Sequence, residues 1–161
     1  MKRIFKVSAA LLALIGTFLM FGAQAVVKLF TNKMMTVGIE ALVGGKYNFG
    51  SAELSGDVTN PVNSGLAGYI LLGVAALLLF IVALVPYFKE HDMLSMVITG
   101  LAVVCLIVGI ILIFLIRKNF ADNNFVNNTV YVGWGAIAAG SLGGLAILSA
   151  GLGMIMDLSG N

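Results

Sequence analysis

Four stretches of this chain, residues 7–27, 66–88, 93–116 and 130–156, contain no Asp, Glu, Lys, Arg or His. Each is at least as long as the roughly 20 apolar residues that cross a 30 Å hydrocarbon core as a helix. Soluble core helices and buried strands are shorter, so length decides the reading. The charges lie between the runs, at 2–6, 28–57, 89–92, 117–122 and 157. With 60% hydrophobic and 10% charged residues, against about 25% charged in ordinary soluble domains, a water-soluble globule could not cover its own surface. The pattern predicts an all-α integral membrane protein: one membrane domain over 1–161, built as a four-helix transmembrane bundle. Outer segments are expected at 28–65 and 117–129, with a tight inner turn at Lys89-Glu90-His91-Asp92.

The first run has the outline of a secretory signal. A basic flank (Lys2, Arg3, Lys6) precedes an apolar stretch and the small-x-small site Ala23-Gln24-Ala25. Because the apolar run continues through Val26-Val27, it reads as an uncleaved first helix. The first helix usually governs orientation, which places both termini inside. The remaining charges do not add to that choice. Lys2, Arg3, Lys6 and Lys89 fall inside, against Lys28, Lys33, Lys46, Arg117 and Lys118 outside. Asparagine-rich loops and a single cysteine suggest a bacterial cytoplasmic membrane. Lys28 and Arg117, at the ends of runs, and Tyr131 and Trp134, at the start of the fourth, are expected interface anchors.

The segment 28–65 admits two local readings. Met35, Ile39, Leu42 and Val43 lie at helical spacing, ending at Gly44-Gly45; alternatively Gly44-Gly45 turns a β-hairpin between "VGIEALV" and "KYNFGSA". The hairpin is the preferred expectation. Asn63 and Ser64 are candidate caps of the second helix, and Asp92 of the third.

The fourth run is rich in small residues. Gly135, Ala139 and Gly143 recur four apart, as do Ala136, Gly140 and Gly144, giving two adjacent small faces. In lipid, helices associate through packing and small residues rather than through the hydrophobic effect. Two such faces can serve the chain's own bundle or a neighbouring subunit. Gly68, Gly73, Gly100, Gly109, Ala9, Ala13 and Gly16 are the expected opposing surfaces.

Chemistry is sparse. Proton relays and ion pathways normally carry ionisable groups inside the membrane, and the four runs have none beyond tyrosines and Cys105. The lone His91, between Glu90 and Asp92, is short of a metal-ligand set and has no nucleophile partner. No phosphate-binding loop, cofactor motif or basic stripe for nucleic acid is present. Asn127-Asn128-Thr129 fits the glycosylation pattern, which arises easily by chance in so asparagine-rich a loop. The outline of four helices, long first outer loop, tight inner turn and short second outer loop resembles that of claudin-like and other tetraspan proteins. Residues 30–65 lack the paired cysteines and tryptophan-containing motif of a claudin first loop, so the resemblance is one of topology and no residue role carries over. The expected function is a non-enzymatic structural or accessory subunit without cofactor. Its partners would be the lipid bilayer and either copies of itself or a larger membrane protein. The alternative is a homo-oligomeric channel or small-solute pore.

Overall fold

The computed structural model describes residues 2–28, 34–48, 55–89, 91–124 and 129–159. Four long helices dominate: α1 (Lys2–Phe18), α3 (Asn63–Leu84), α4 (Asp92–Asn124) and α5 (Trp134–Leu158), with a one-turn helix α2 (Glu40–Val43) between α1 and α3. Each of the four long segments is long and apolar enough to cross a membrane, compatible with a multi-pass membrane protein. Each long helix packs on two others: α1 on α3 and α5, and α4 on the same two. This is an up-down-up-down ring in which α1 and α4 lie on a diagonal. The interior is lined by small and branched side chains, among them Ala9, Ala13, Leu72, Ala76, Leu106, Ala139 and Ala146, all inaccessible. The outward flanks carry large apolar side chains such as Phe18, Leu77, Val97 and Leu148.

One end of the bundle carries a three-stranded antiparallel sheet in the order β2 (Met34–Val37), β1 (Ala25–Lys28), β5 (Thr129–Val132). Ala25 faces Val37 on one side and Val132 on the other. Alternation sets the faces: Ala25 and Val27 are buried toward the helices, while Val26 and Lys28 point away. A separate hairpin pairs β3 (Gly45–Asn48) with β4 (Ser55–Val58). The other end of the bundle holds the two chain termini and the 3-10 turn Pro86–Lys89.

Several boundaries differ from the sequence expectation, each for a physical reason. The first helix does not run to residue 27. It ends at Phe18, tightens into a 3-10 turn over Leu19–Phe21, and gives way to β1. It also starts earlier, so its apolar span takes in Lys6. The third helix does not stop at Ile116. It continues through Arg117 and Lys118 to Asn124, replacing most of the loop expected at 117–129. At 33 residues it is about 50 Å long, well beyond a 30 Å core. The fourth run opens as strand β5, and its helix starts only at Trp134.

The preferred hairpin at Gly44-Gly45 is not formed. Gly44 instead ends α2, with φ +79° and its N–H donating to Glu40 O, a conformation that glycine adopts without penalty. The strands on either side of it pair elsewhere, β2 with β1 and β3 with β4. The helical alternative holds for Ile39, the N-cap, for Leu42 and Val43, and for the end at Gly44, but Met35 lies in β2. Neither Asn63 nor Ser64 caps α3. Val62 occupies the cap without a side-chain bond, and Ser64 Oγ accepts from Asn119 Nδ2 of α4 (3.2 Å). Asp92 is the first residue of α4. Asn127 and Asn128 lie outside the described residues.

Candidate functional site

Two polar clusters are built into the interior, one at each end. At the sheet end, Gln24 is fully buried. Its Nε2 donates to the carbonyls of Leu19 (3.0 Å), Met20 (3.1 Å) and Gly22 (2.9 Å). Those carbonyls lie just beyond the end of α1, where backbone acceptors run out of helical donors; Leu19 O also takes Gly22 N, and the side chain supplies a donor to Met20 O and Gly22 O. Its Oε1 accepts the Tyr69 hydroxyl of α3 at 2.7 Å. The backbone here is equally committed. Gln24 N donates to Val37 O (2.7 Å), Gly133 N to Gln24 O (2.9 Å) and Gly135 N to Ala23 O (2.8 Å). The small-x-small site Ala23-Gln24-Ala25 is therefore the junction at which α1, α3, α5 and the sheet meet.

At the opposite end, Lys6 of α1 is 3% exposed, Ser95 of α4 2% and Asp157 of α5 7%. Lys6 Nζ donates to Asp157 Oδ2 at 2.5 Å and to Ser95 Oγ at 2.6 Å; Ser95 Oγ lies 3.4 Å from the same carboxylate oxygen. Because α1 and α4 are diagonal, the Lys6–Ser95 bond crosses the bundle interior. One turn further in, Thr99 Oγ1 donates to Ser95 O (2.7 Å), and Ser149 of α5 donates to Phe5 O of α1 (2.8 Å). The sequence places Lys6 in the basic flank of the first run and Asp157 just beyond the fourth; in the structure both are interior. A carboxylate at the very end of an apolar run and a lysine at the opposite terminus are the available signal. What hides it is that no period in the sequence links residues 151 positions apart.

Chemically, the Lys6–Ser95 distance suits a serine–lysine dyad. Here, however, Lys6 Nζ donates to both neighbours, and Ser95 is buried. The arrangement binds helices together, and a buried pair of this kind costs desolvation unless both partners stay in place.

The small face of α5 is used mainly inside the bundle. A β-carbon on Gly135 would fall 2.9 Å from Leu19 O and Ala23 O; on Gly140, 2.6 Å from the Phe114 ring; on Gly143, 2.9 Å from the Ile110 side chain. Ala136 and Ala139 are fully buried, and Ala139 O lies 3.6 Å from a β-carbon placed on Gly16. Gly144 differs: nothing lies within 4 Å of its β-carbon position, so among the described residues none packs against it there. Gly68 and Gly109 oppose each other rather than α5. A β-carbon on either would come within 2.7–2.8 Å of the other's carbonyl oxygen.

The expected anchors all lie at the sheet end. Trp134 is 59% exposed, with its ring against Gly22, and Tyr131 is exposed on the outer face of β5 beside Val26. Arg117 Nε donates to Val130 O (2.8 Å), fastening α4 to the sheet. Lys28 is exposed on the outer face of β1. In the turn between α3 and α4, His91 stacks on Tyr87, with centroids 4.1 Å apart, and its Nδ1 lies 3.0 Å from Tyr87 O. Cys105 is half-buried and free. The tetraspan outline remains a likeness of topology: compared with models of known families, with curated proteins and with solved structures, the chain finds no match.

Proposed function

We propose that this chain is a multi-pass protein of a bacterial cytoplasmic membrane, with both termini inside. In this reading it is a non-enzymatic structural or accessory subunit, acting through helix–helix contacts and through the outer segment 28–65. The observation that carries the reading is how the interior polar groups are used. Gln24 and Tyr69 bond to each other at one end, Lys6, Ser95 and Asp157 at the other, and inaccessible alanines and leucines fill the space between. Transport pathways through a bundle need ionisable or polar groups exposed along a wet route; here such groups are engaged in holding helices together. The large apolar side chains on the outward flanks suit lipid or another membrane protein.

One observation favours the pore as a second reading. Gly144 and Gly151 of α5 meet nothing within 4 Å among the described residues, which leaves a flat strip through which copies could approach. Mild detergent extraction followed by native mass measurement separates the readings. Co-elution of larger chains, or a defined oligomer that passes no ions in liposomes, supports the subunit reading. A ring of copies with ion or solute flux supports the pore. A lone monomer overturns both.

A further inference from the structure

We propose that Lys6, Ser95 and Asp157 form a charge-compensated latch: the termini end of the bundle stays closed while the two charges are paired, and either charge left without the other draws water between α1, α4 and α5. The inference is independent of the subunit reading and rests on how differently the two ends are tied. At the sheet end, α1 and α5 are joined through backbone bonds: the β1–β5 ladder, Gly133 N to Gln24 O and Gly135 N to Ala23 O. At the termini end the chain connection is the short turn between α3 and α4. There the polar ties between α1 and α5 are made by side chains, the ion pair of Lys6 with Asp157 and the Ser149 hydroxyl on Phe5 O.

Beneath that pair the buried residues are small: Ala9, Ala10 and Ala13 on α1, and Ala146, Ala150 and Gly153 on α5. Such side chains allow close approach but interlock little, so they offer small resistance to a parting of the helices. A single buried charge left by loss of its partner has to be solvated, and Lys6 sits little more than one turn from the start of α1. Ser95 makes the latch three-sided. By accepting from Lys6 across the diagonal it ties α4 to the α1–α5 seam.

The test uses Ala10→Cys as a reporter, at a position that is fully buried, in a Cys105→Ala background. The full chain is reconstituted in lipid nanodiscs and labelled with a charged maleimide. With the latch intact, the reporter thiol should be protected. Lys6→Met or Asp157→Asn alone should raise its labelling rate about tenfold or more, since breaking a buried pair costs far more than that factor requires. Lys6→Met combined with Asp157→Met removes both charges and should restore protection. Should the single variants fail to fold, a folded double variant with a protected reporter still supports the latch. Single variants as protected as the parent overturn it, and so does a double variant that labels or misfolds as badly as the singles.

Discussion

The two ends of this bundle solve the same problem with different chemistry. At the sheet end the first and last helices are joined by main-chain hydrogen bonds, to which the side chain of Gln24 adds a cap. At the termini end they are joined through side chains, the Lys6–Asp157 pair and the Ser149 hydroxyl on Phe5 O. Main-chain bonds are indifferent to most substitutions, because every residue but proline offers the same donor and acceptor. What they demand is close backbone approach. Side-chain bonds ask nothing special of the backbone but fail when either partner changes. The sheet end should therefore be sensitive at its glycines and at Gln24, and the termini end at Lys6, Ser95 and Asp157.

The largest effect expected at the sheet end comes from Gly133→Val. A β-carbon there runs into the backbone of Ala23 and Gln24, atoms that cannot swing aside. The loss should exceed about 4 kcal/mol, the range reserved for removal of an essential structural feature. It should show as failure to recover a monodisperse peak after detergent extraction. Normal recovery would mean that the close approach of α5 to the Ala23–Gln24 junction is not what holds this end.

Gln24→Ala should come next. It leaves the buried Tyr69 hydroxyl without its acceptor and removes the side-chain donor from the Met20 and Gly22 carbonyls, while Leu19 O keeps Gly22 N, a cost of about 3 kcal/mol at the upper end for unsatisfied groups. Thermal unfolding followed by light scattering would read it. Combining Gln24→Leu with Tyr69→Phe should cost less than the sum of the single changes, because the two residues share a bond. Strict additivity would show that the pair is not coupled.

These expectations also mark what is legible in the sequence. Four uncharged runs announce four helices, because length and absence of charge are local properties. Their ends are not local. Residues 25–28 look like continued helix because Ala25-Val26-Val27 is apolar. Only strands drawn from two distant segments, with Gln24 consuming the last helical carbonyls, turn them into the centre of a sheet. Arg117 and Lys118 look like a helix end because they are charged. The helix passes through them, with Arg117 reaching back to Val130 O. Of the polar sites, Tyr69 and Gln24 stand out singly as polar residues in apolar runs, but their pairing depends on the packing of α1 against α3. The glycine pattern of α5 is legible as packing, whereas which glycine meets which neighbour is not.

Beneath the sheet-end cluster, against Gly68 beside Tyr69, Gly109 calibrates the comparison. Gly109→Ala puts a β-carbon 2.8 Å from Gly68 O and 2.6 Å from Leu72 Cδ1. Leu72 can rotate, but the carbonyl cannot. We expect a loss of about 1–2 kcal/mol from over-packing, with both ends of the bundle still closed. If this change exposed the reporter thiol at position 10 as strongly as loss of Lys6, the termini end would owe its closure to general packing rather than to its charges.

The smallest effect on the chain itself should come from Gly144→Leu, and for that reason it is the most informative about partners. Among the described residues nothing lies near this position, so the stability of the isolated chain should change by no more than about 0.5 kcal/mol. Gly140 and Gly143, one turn or less away, meet Phe114 and Ile110, so leucine at either should destabilise the monomer. A Gly144→Leu chain that melts normally but no longer forms its oligomer, or no longer co-elutes with its partner, would locate the external contact on α5. Unchanged assembly would move that contact to the segment 28–65 or to the broad apolar flank of α4, while leaving the internal roles of Gly140 and Gly143 intact.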